Sequence, residues 1–336
     1  MGYNFFIIGG DKRILYLAQD LKEEGNNIKL YGFDKLFDNE EIFEDDDFKM
    51  AKSLNEIDKN DIIISAFPMS FDGENIYAPF AKEDKIIKLD ELEKILKDEN
   101  HILFAGKIPD KIKKQNENKK EKQNEKKEQT DNQNENAKEE QEQTEKKKED
   151  QKEEQNEKKT QNQTGIYDFY DDEKITILST ISTAEGAIAK AIEETEISLD
   201  DANVLVLGFG RVGKMLANKL HAMNANVYVE ARKERDLAWI KALGYNSIPL
   251  TKLNENLCKM DIIFNTVPAM ILDKEKLILL NRKILIIDLA SKPGGVDFET
   301  CKRMKFNASL YSGIPGKVAP RTVATYLKDY IMDKIK

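Results

Sequence analysis

The hydrophobic residues of this chain fall into short continuous runs, and segments of helical periodicity separate the runs. In the first half the runs occupy residues 5–10, 28–33, 61–68, 85–89 and 101–106. Continuous rather than alternating apolar runs are typical of strands that are buried on both faces of a parallel sheet. Strands that alternate with helices predict βαβ units and a doubly wound sheet in this half of the chain.

The second half of the chain repeats the pattern, with runs at residues 203–208, 226–232, 261–268 and 284–291. The two halves share a phrase, since 61–68 (DIIISAFP) and 261–268 (DIIFNTVP) have the same arrangement of Asp, apolar residues and Pro. Chance similarity between two buried strands is one interpretation, and two domains of related design is the other. The order of elements favours the second, so we predict an α/β chain of two doubly wound, Rossmann-like domains with a cleft between them.

The positions of the helical segments set the predicted domain boundaries. Residues 1–179 form the predicted N-terminal substrate domain, and residues 203–316 form the predicted cofactor domain. Helical spacing of alanine and isoleucine in residues 180–202 predicts a helix that links the two. Apolar residues on one face of residues 317–336 predict a C-terminal helix that packs back on the first domain.

Residues 113–163 differ in composition from the rest of the chain, because Ala137 is their only apolar residue. Such a segment cannot offset the entropy of ordering its backbone, so we predict a disordered or loosely helical insertion in the first domain. A solvated spacer is favoured over an interaction tail. Its 14 lysines nearly balance its 15 acidic residues, so nearly all of the net charge of −9 belongs to the remainder, which argues against nucleic-acid binding.

The rare residue types exclude several classes of site. The two cysteines, Cys258 and Cys301, lack a CxxC spacing, and the two histidines, His101 and His221, do not predict a histidine metal cluster. No run of about 18 apolar residues predicts a membrane span, and no N-terminal targeting segment is recognisable. We therefore expect a cytoplasmic protein with no metal site and no membrane association.

A glycine motif is the first candidate for chemistry. Gly208, Gly210 and Gly213 form GxGxxG between a predicted strand and a predicted helix. The first glycine suits a tight turn, the second lets the backbone approach a pyrophosphate, and the third permits close helix packing. Together with Arg211 and Val212, these residues predict a dinucleotide site with its phosphates at the helix start, in preference to a merely tight turn.

The residues at the end of the next predicted strand bear on the choice of cofactor. An acidic residue there accepts hydrogen bonds from the ribose hydroxyls of NAD, whereas basic residues suit the 2′-phosphate of NADP. Here Glu230 is followed by Arg232, Lys233 and Arg235. The three cations favour NADP, and the spacing alone leaves NAD open.

The first apolar run ends in a smaller motif. Gly9 and Gly10 follow the strand, Asp11 is placed to cap the next helix, and Arg13 lies beside it. Two adjacent glycines do not support a second dinucleotide site. A helix start with Arg13 suits a small carboxylate, and a capped turn with a surface arginine is the alternative.

Polar residues also follow three later runs, in segments 265–270, 288–295 and 312–320. Ligands of doubly wound sheets lie beyond the carboxyl ends of the strands, so we expect these segments at the mouth of the second sheet. Their glycines and prolines are ordinary turn residues as well. The predicted cofactor contacts in these segments are Asn265, Thr266, Val267 and Pro268, and the other polar candidates are Asp288, Ser291 and Lys317.

Several longer motifs give the chain a specific resemblance. They are residues 9–13 (GGDKR), 182–195 (STAEGAIAKAIEET), 204–217 (VLVLGFGRVGKMLA), 288–299 (DLASKPGGVDFE) and 314–324 (IPGKVAPRTVA). On these motifs the chain resembles the family of dipicolinate synthase A subunits of endospore-forming bacteria. Its second half is similar to the cofactor domain of the D-isomer-specific 2-hydroxyacid dehydrogenases. The charged insertion departs from the family pattern.

The resemblance implies an oxidoreductase that makes pyridine-2,6-dicarboxylate from a dihydro or hydroxytetrahydro precursor during sporulation, with NADP or NAD as hydride acceptor. It also implies the flavoprotein-like B subunit of dipicolinate synthase as partner and the mother-cell cytoplasm as location, and it leaves homo-oligomer formation open. The substrate carries two carboxylates. The candidates to bind them are Arg13, Thr183, Lys317 and Arg321.

Aromatisation removes a hydride and a proton, so this chemistry requires a base. The candidates are Glu185, Asp288 and Asp11, in that order. The histidine and acid pair of the 2-hydroxyacid dehydrogenases has no counterpart here. An NAD(P)-dependent 2-hydroxyacid or amino acid dehydrogenase is an alternative function, and a non-catalytic NADP-binding scaffold subunit is another.

Overall fold

The computed structural model describes residues 2–36, 48–98, 101–114 and 165–336. The chain divides into two compact units, each with its own sheet. Unit 1 comprises Met1–Ile175 together with Arg321–Lys336, and unit 2 comprises Thr176–Pro320.

Unit 1 is built on a parallel sheet of six strands. The strands are β1 (Asn4–Ile8), β2 (Asn27–Tyr31), β3 (Lys49–Met50), β4 (Ile62–Ser65), β5 (Ile102–Ala105) and β6 (Gly165–Asp168). Their order across the sheet is β3-β2-β1-β4-β5-β6. The helices are α1 (Lys12–Glu23), α2 (Leu89–Asp98), the start of α3 (Glu173–Glu194) and α9 (Pro320–Ile335).

Both faces of the first sheet are covered, which explains the continuous apolar runs. Successive side chains of a strand point to opposite faces. Phe5 and Ile7 therefore pack in one layer with α1 and α9, whereas Phe6 and Ile8 pack in the other layer with α2. The C-terminal helix contributes Val323, Ala324, Leu327 and Ile331 to the first of these layers.

Unit 2 repeats the architecture. Its strands are β7 (Asn203–Leu207), β8 (Asn226–Ala231), β9 (Asn246–Pro249), β10 (Ile262–Asn265), β11 (Leu285–Asp288) and β12 (Asn307–Leu310). They are parallel, in the order β12-β11-β10-β7-β8-β9. The helices are the main part of α3, α4 (Arg211–Ala222), α5 (Glu234–Ala242), α6 (Lys274–Leu277), α7 (Phe298–Met304) and α8 (Ile314–Val318).

Both sheets have the strand order 3-2-1-4-5-6 of the doubly wound nucleotide-binding fold when the strands are numbered within each unit. The prediction of two Rossmann-like units of related design is therefore confirmed. The shared phrase belongs to equivalent strands, β4 and β10, each of which pairs with the first strand of its own sheet.

The strands that the apolar pattern did not predict are edge strands of the two sheets. The strands β3, β6, β9 and β12 were not predicted, and each of them is an edge strand with few apolar residues. A predicted strand at 85–89 is wrong, because only an isolated bridge between Asn75 and Lys88 forms there and Leu89 begins α2. In that segment Ile87 is buried and Ile86 is exposed, so it lines the core without joining the sheet.

The boundaries of the units differ in detail from the predicted ranges. Helix α3 begins at Glu173, before the predicted linker of 180–202, and unit 2 begins at Thr176. Of the predicted insertion, Lys113 and Lys114 are helical, and residues 115–163 lie outside the described residues. Helix α3 is long and apolar enough to span a membrane by composition alone, but its buried residues Ala184, Ala187 and Ala191 belong to the core of unit 2.

Candidate functional site

The fingerprint turn, residues 208–213, connects β7 to α4 at the carboxyl edge of the second sheet. Gly208 has a φ of +92°, a conformation that glycine adopts readily. A Cβ on Gly213 would overlap the carbonyl oxygen of Gly208, so the helix and the turn approach each other more closely than any other residue permits. The local geometry thus requires glycine at both positions.

The start of α4 is open where a phosphate would bind. Gly210 is the N-cap residue, and no side chain caps the helix there. A Cβ on Gly210 would meet no atom within 4 Å, so the space above the turn is clear. The first N–H groups of a helix lack intrahelical partners and attract anions. The residues present therefore fit the pyrophosphate of a dinucleotide.

The loop after β10 packs directly on the fingerprint turn. Thr266 donates from its backbone N–H (3.0 Å) and from its hydroxyl (2.8 Å) to the carbonyl oxygen of Leu207. Val267 and Thr266 lie against the Cα of Gly208, where a Cβ would come within 2.8 Å of each. Pro268 follows and is exposed. The structure thus brings the predicted cofactor residues of two strand ends together.

Asp288, a predicted base, is the hydrogen-bond acceptor that orders these loops. It lies at the end of β11, fully buried, and accepts hydrogen bonds from the side-chain amide of Asn265 (2.8 Å) and from the backbone N–H groups of Ala290 (3.0 Å) and Gly295 (2.7 Å). Asn265 in turn bonds the backbone of Val267. Asp288 therefore joins the loops after β10 and β11.

The end of β8 presents a buried carboxyl followed by exposed cations. Glu230 is only 2% exposed, and its Oε1 is buried with no hydrogen-bond partner among the described residues. Burial raises the pKa of Glu230, while the Gly208 N–H and Arg232 act in the opposite direction. The side chains of Arg232 and Lys233 are exposed at the start of α5.

Glu185 and Thr183, predicted as base and substrate contact, lie in the middle of α3. Two contacts show that α3 and α4 run side by side in the same direction: Arg211 Nη1 donates to Thr176 Oγ1, and Lys219 Nζ pairs with Glu185 Oε1, each at 2.9 Å. Lys219 lies about 12 Å along α4 from the phosphate-binding end at Arg211, and its partner Glu185 on α3 lies at a similar distance from that end. The Thr183 hydroxyl donates within the helix to the Ser179 carbonyl oxygen.

In unit 1, Asp11 and Arg13 form a tight pair at the carboxyl end of β1. Asp11 caps α1 and accepts from the Arg13 backbone N–H (3.0 Å), from its Nε (2.9 Å) and from its Nη2 (2.7 Å). Nη2 also donates to the Phe67 carbonyl oxygen. Arg13 is only 5% exposed, so of the two interpretations the alternative, a capped turn with a surface arginine, is wrong about the exposure of this side chain.

The two remaining predicted cations belong to different units. Lys317, on α8 of unit 2, donates to the Ser312 carbonyl oxygen (2.9 Å) and lies 5.0 Å from the centre of the Tyr311 ring. Arg321, on α9 of unit 1, has its guanidinium 5.0 Å from the centre of the Tyr16 ring. Ser291 is exposed in the loop after β11.

Sequence reasoning missed a cluster at the carboxyl edge of the first sheet. Asp168, at the end of β6, accepts from the backbone N–H groups of Lys107 (2.8 Å), Ile108 (2.8 Å) and Tyr170 (3.0 Å), and Lys113 Nζ pairs with it at 2.7 Å. The sequence feature that could have indicated this cluster is an aspartate, Asp168, at the end of a short apolar segment. The long charged segment in front of β6 separated this strand from the rest of its domain in the sequence.

Metal ligation is not indicated in the part of the chain that the structure describes. No group of three or more His, Cys, Asp or Glu side chains there is placed to hold a metal ion.

Comparison with known proteins divides the chain in the same way. The family model of the N-terminal domain of the dipicolinate synthase A subunit matches residues 4–125, and that of shikimate / quinate 5-dehydrogenase matches residues 187–306. The dipicolinate synthase A subunit of Bacillus subtilis (strain 168) is 30% identical over 334 residues, which cover 98% of this chain and 95% of the relative.

Two solved structures of dipicolinate synthase A subunits match this chain along its whole length. The dipicolinate synthase A subunit from Bacillus halodurans has a TM-score of 0.72 and 28% identity, and the match covers 100% of this chain and 98% of that one. The same subunit from Bacillus subtilis has a TM-score of 0.73 and 27% identity, with 100% and 97% covered. The transhydrogenase from Sinorhizobium meliloti, at 12% identity, 0.55 TM-score and coverage of 98% and 93%, shares the fold alone.

The strand order of both sheets, the open glycine turn and the match to a relative over nearly the full length of both proteins lead to one conclusion. The chain belongs to the family of dipicolinate synthase A subunits, as a dehydrogenase-like protein whose unit 2 has the fold of a nicotinamide dinucleotide-binding domain.

Proposed function

We propose that this protein oxidises a dihydrodipicolinate precursor, or a hydroxytetrahydrodipicolinate precursor that also loses water, to pyridine-2,6-dicarboxylate, with NADP or NAD as the hydride acceptor. The observation that carries the proposal is the full-length match to the dipicolinate synthase A subunit. The open start of α4 supports the cofactor, because an uncapped helix end with clear space above Gly210 suits a pyrophosphate. The bound cofactor supplies the carbon atom that receives the hydride.

NADP is the proposed cofactor, and the charges at the end of β8 support it. Arg232 and Lys233 are exposed at the start of α5, where a 2′-phosphate would lie. Glu230 would favour NAD if its carboxylate reached the ribose as an anion. Burial raises the pKa of Glu230, which weakens that preference.

Asp11 is the proposed base. Of the three carboxyl groups predicted for this role, Asp288 is fully buried, and Glu185 pairs with Lys219, about 12 Å along α4 from the phosphate-binding end. The side chain of Asp11 is 18% exposed and lies at the carboxyl end of β1, the edge at which ligands of such sheets bind. The proposal therefore places Asp11, the last of the three candidates from the sequence, first.

The proposed partner is the flavoprotein-like B subunit of dipicolinate synthase, and the proposed location is the mother-cell cytoplasm of a sporulating cell. Family membership supports the partner, because the relatives are subunits of a synthase rather than complete enzymes by name.

A turnover assay tests the proposed reaction. The purified chain, alone and with the B subunit, is mixed with the precursor and NADP or NAD, and the ultraviolet spectrum of dipicolinate is followed. We expect product with NADP, and Asp11→Asn should reduce the rate about 100-fold or more, which is the usual contribution of a general base. Glu185→Gln serves as the control and should stay within about twofold. An absence of product in every combination, with NADP still bound, would contradict the function.

A further inference from the structure

The carboxyl edge of the first sheet carries an aromatic cluster that the cofactor does not explain. Tyr170 follows β6 and is 48% exposed, although large aromatic side chains are usually more deeply buried. The centre of its ring lies 4.8 Å from that of Phe67, which follows β4, with 52° between the ring planes. Phe67 and Tyr170, of which Tyr170 is exposed, therefore form an aromatic surface at the edge where ligands of doubly wound sheets bind.

The structure holds this surface in place from two sides. A Cβ on Gly106 would overlap the Phe67 ring, so only glycine after β5 leaves room for that ring. Asp168, which is 4% exposed, accepts the backbone N–H of Tyr170 and that of Lys107. It thus ties the strand ends of β5 and β6 together and acts as a positioning residue for Tyr170.

Cationic groups lie next to the aromatic surface. The Arg13 guanidinium lies 4.6 Å from the centre of the same Phe67 ring, and its Nη1 donates no hydrogen bond to any described residue. Arg13 and Tyr170 therefore both lie against the Phe67 ring.

Lys107 adds a second cation beside β5. Its φ of +54° is in the left-handed region, which is strained for a residue other than glycine and often marks functional loops. The hydrogen bond from its N–H to Asp168 stabilises this backbone, and its side chain is exposed. The arrangement combines a flat apolar surface with two groups that donate hydrogen bonds to carboxylates.

We infer that Tyr170 contacts the substrate ring by stacking, and that Arg13 Nη1 and the Lys107 ammonium bind its carboxylates. The ligand class is a planar six-membered ring with two carboxylates. This inference rests on the proposed function and adds a specificity residue to it: Tyr170 favours the planar, aromatic form of the ring over its saturated form.

Calorimetry with two probe ligands on the full chain, saturated with NADP, tests the inference. The probes are pyridine-2,6-dicarboxylate and cis-piperidine-2,6-dicarboxylate, which carry the same carboxylates on a planar and a saturated ring. We expect the wild-type chain to prefer the planar ring by about 3- to 10-fold, the range that aromatic contacts provide. Tyr170→Leu should abolish the preference, and Tyr170→Phe should keep it.

The controls separate stacking from charge and from loss of the fold. Lys107→Gln should weaken both probes by a similar factor and leave the preference unchanged. Trp239→Leu removes an aromatic side chain that is 55% exposed on α5 and should change neither affinity. Because the readout is a ratio, partial unfolding of Tyr170→Leu lowers both affinities without mimicking the expected result.

Two outcomes overturn the inference. One is a preference that survives in Tyr170→Leu, and the other is a wild-type chain that does not distinguish the probes or binds neither. Neither outcome decides the proposed function, which is judged separately by product formation with the B subunit.

Discussion

Single aspartate side chains hold the strand-end loops of both sheets. Asp168 in unit 1 accepts three backbone N–H groups, and Asp288 in unit 2 accepts two together with the Asn265 amide. A buried carboxylate is costly unless hydrogen bonds compensate for its lost hydration, and here they do. At the residue scale, then, a polar residue at a strand end can serve the loop rather than the chemistry, and sequence alone does not distinguish the two.

The exposed cations after β8 carry a prediction about cofactor choice. Replacing Arg232 and Lys233 together by Gln should weaken NADP binding at least about tenfold, because charge-assisted hydrogen bonds to the 2′-phosphate would be lost. NAD has no such phosphate, so its affinity should change less than about twofold. Titration calorimetry with both cofactors measures the effect. Lys241→Gln, at the other end of α5, is the control, and equal losses for NADP and NAD would contradict the prediction.

The buried carboxyl of Glu230 leads to a prediction about how the stability of the fold depends on pH. Because burial raises its pKa in the folded protein, the folded state binds more protons than the unfolded state above the ordinary pKa of 4.5. Its contribution to stability is therefore fully present below that value and is lost as pH rises through the raised pKa. Relative to wild type, Glu230→Gln should gain stability as pH rises above 4.5, as measured by urea unfolding.

The exposed residue Glu234 provides the control for this pH series. Glu234→Gln changes an exposed carboxyl at the start of α5 in the same way, and its unfolding is measured over the same pH range. A Glu230→Gln curve parallel to wild type would show that burial of this carboxyl does not affect folding.

At the scale of elements, the connection between β5 and β6 yields a prediction about the charged segment. The chain around Lys113 is tied to Asp168 and Asp171 at 2.7 and 3.0 Å, and β6 pairs with β5 directly after the segment. Replacing residues 115–164 by about eight Gly and Ser residues should therefore preserve the sheet. Shortening the loop would change the free energy of unfolding by only about 1.5 kcal/mol.

Thermal unfolding and NADP titration check this deletion. A version with a scrambled 115–164 segment of the same length and composition is the control. A large loss of melting temperature or of cofactor affinity in the deletion, but not in the scrambled chain, would show that the segment has a specific role.

The elements that sequence predicted well are those buried on both faces. Central strands such as β4 and β10 read as continuous apolar runs, and the glycine motif between β7 and α4 is a local feature. Edge strands such as β3, β9 and β12 are less deeply buried, and their sequences lack continuous apolar runs. The contacts of Asp288, Glu185 and Tyr170 join residues far apart in the chain, and no local pattern specifies them.

At the scale of the whole molecule, one strand order occurs twice, but the two units carry different chemistry. Unit 2 has the open glycine turn for a dinucleotide. Unit 1 has two adjacent glycines and a capped helix at the equivalent place, with aromatic and cationic residues at its strand ends. This difference supports the proposal that unit 2 binds the cofactor and unit 1 contacts the substrate.

The stoichiometry of a single turnover tests the proposed hydride transfer most directly. The chain, with the B subunit and NADP, is mixed with a limiting amount of precursor, and reduced nicotinamide and dipicolinate are quantified at the same time. We expect equal amounts of the two products, since each ring that becomes aromatic gives one hydride to the cofactor. Dipicolinate formed without reduced nicotinamide would contradict the central claim that this protein transfers the hydride.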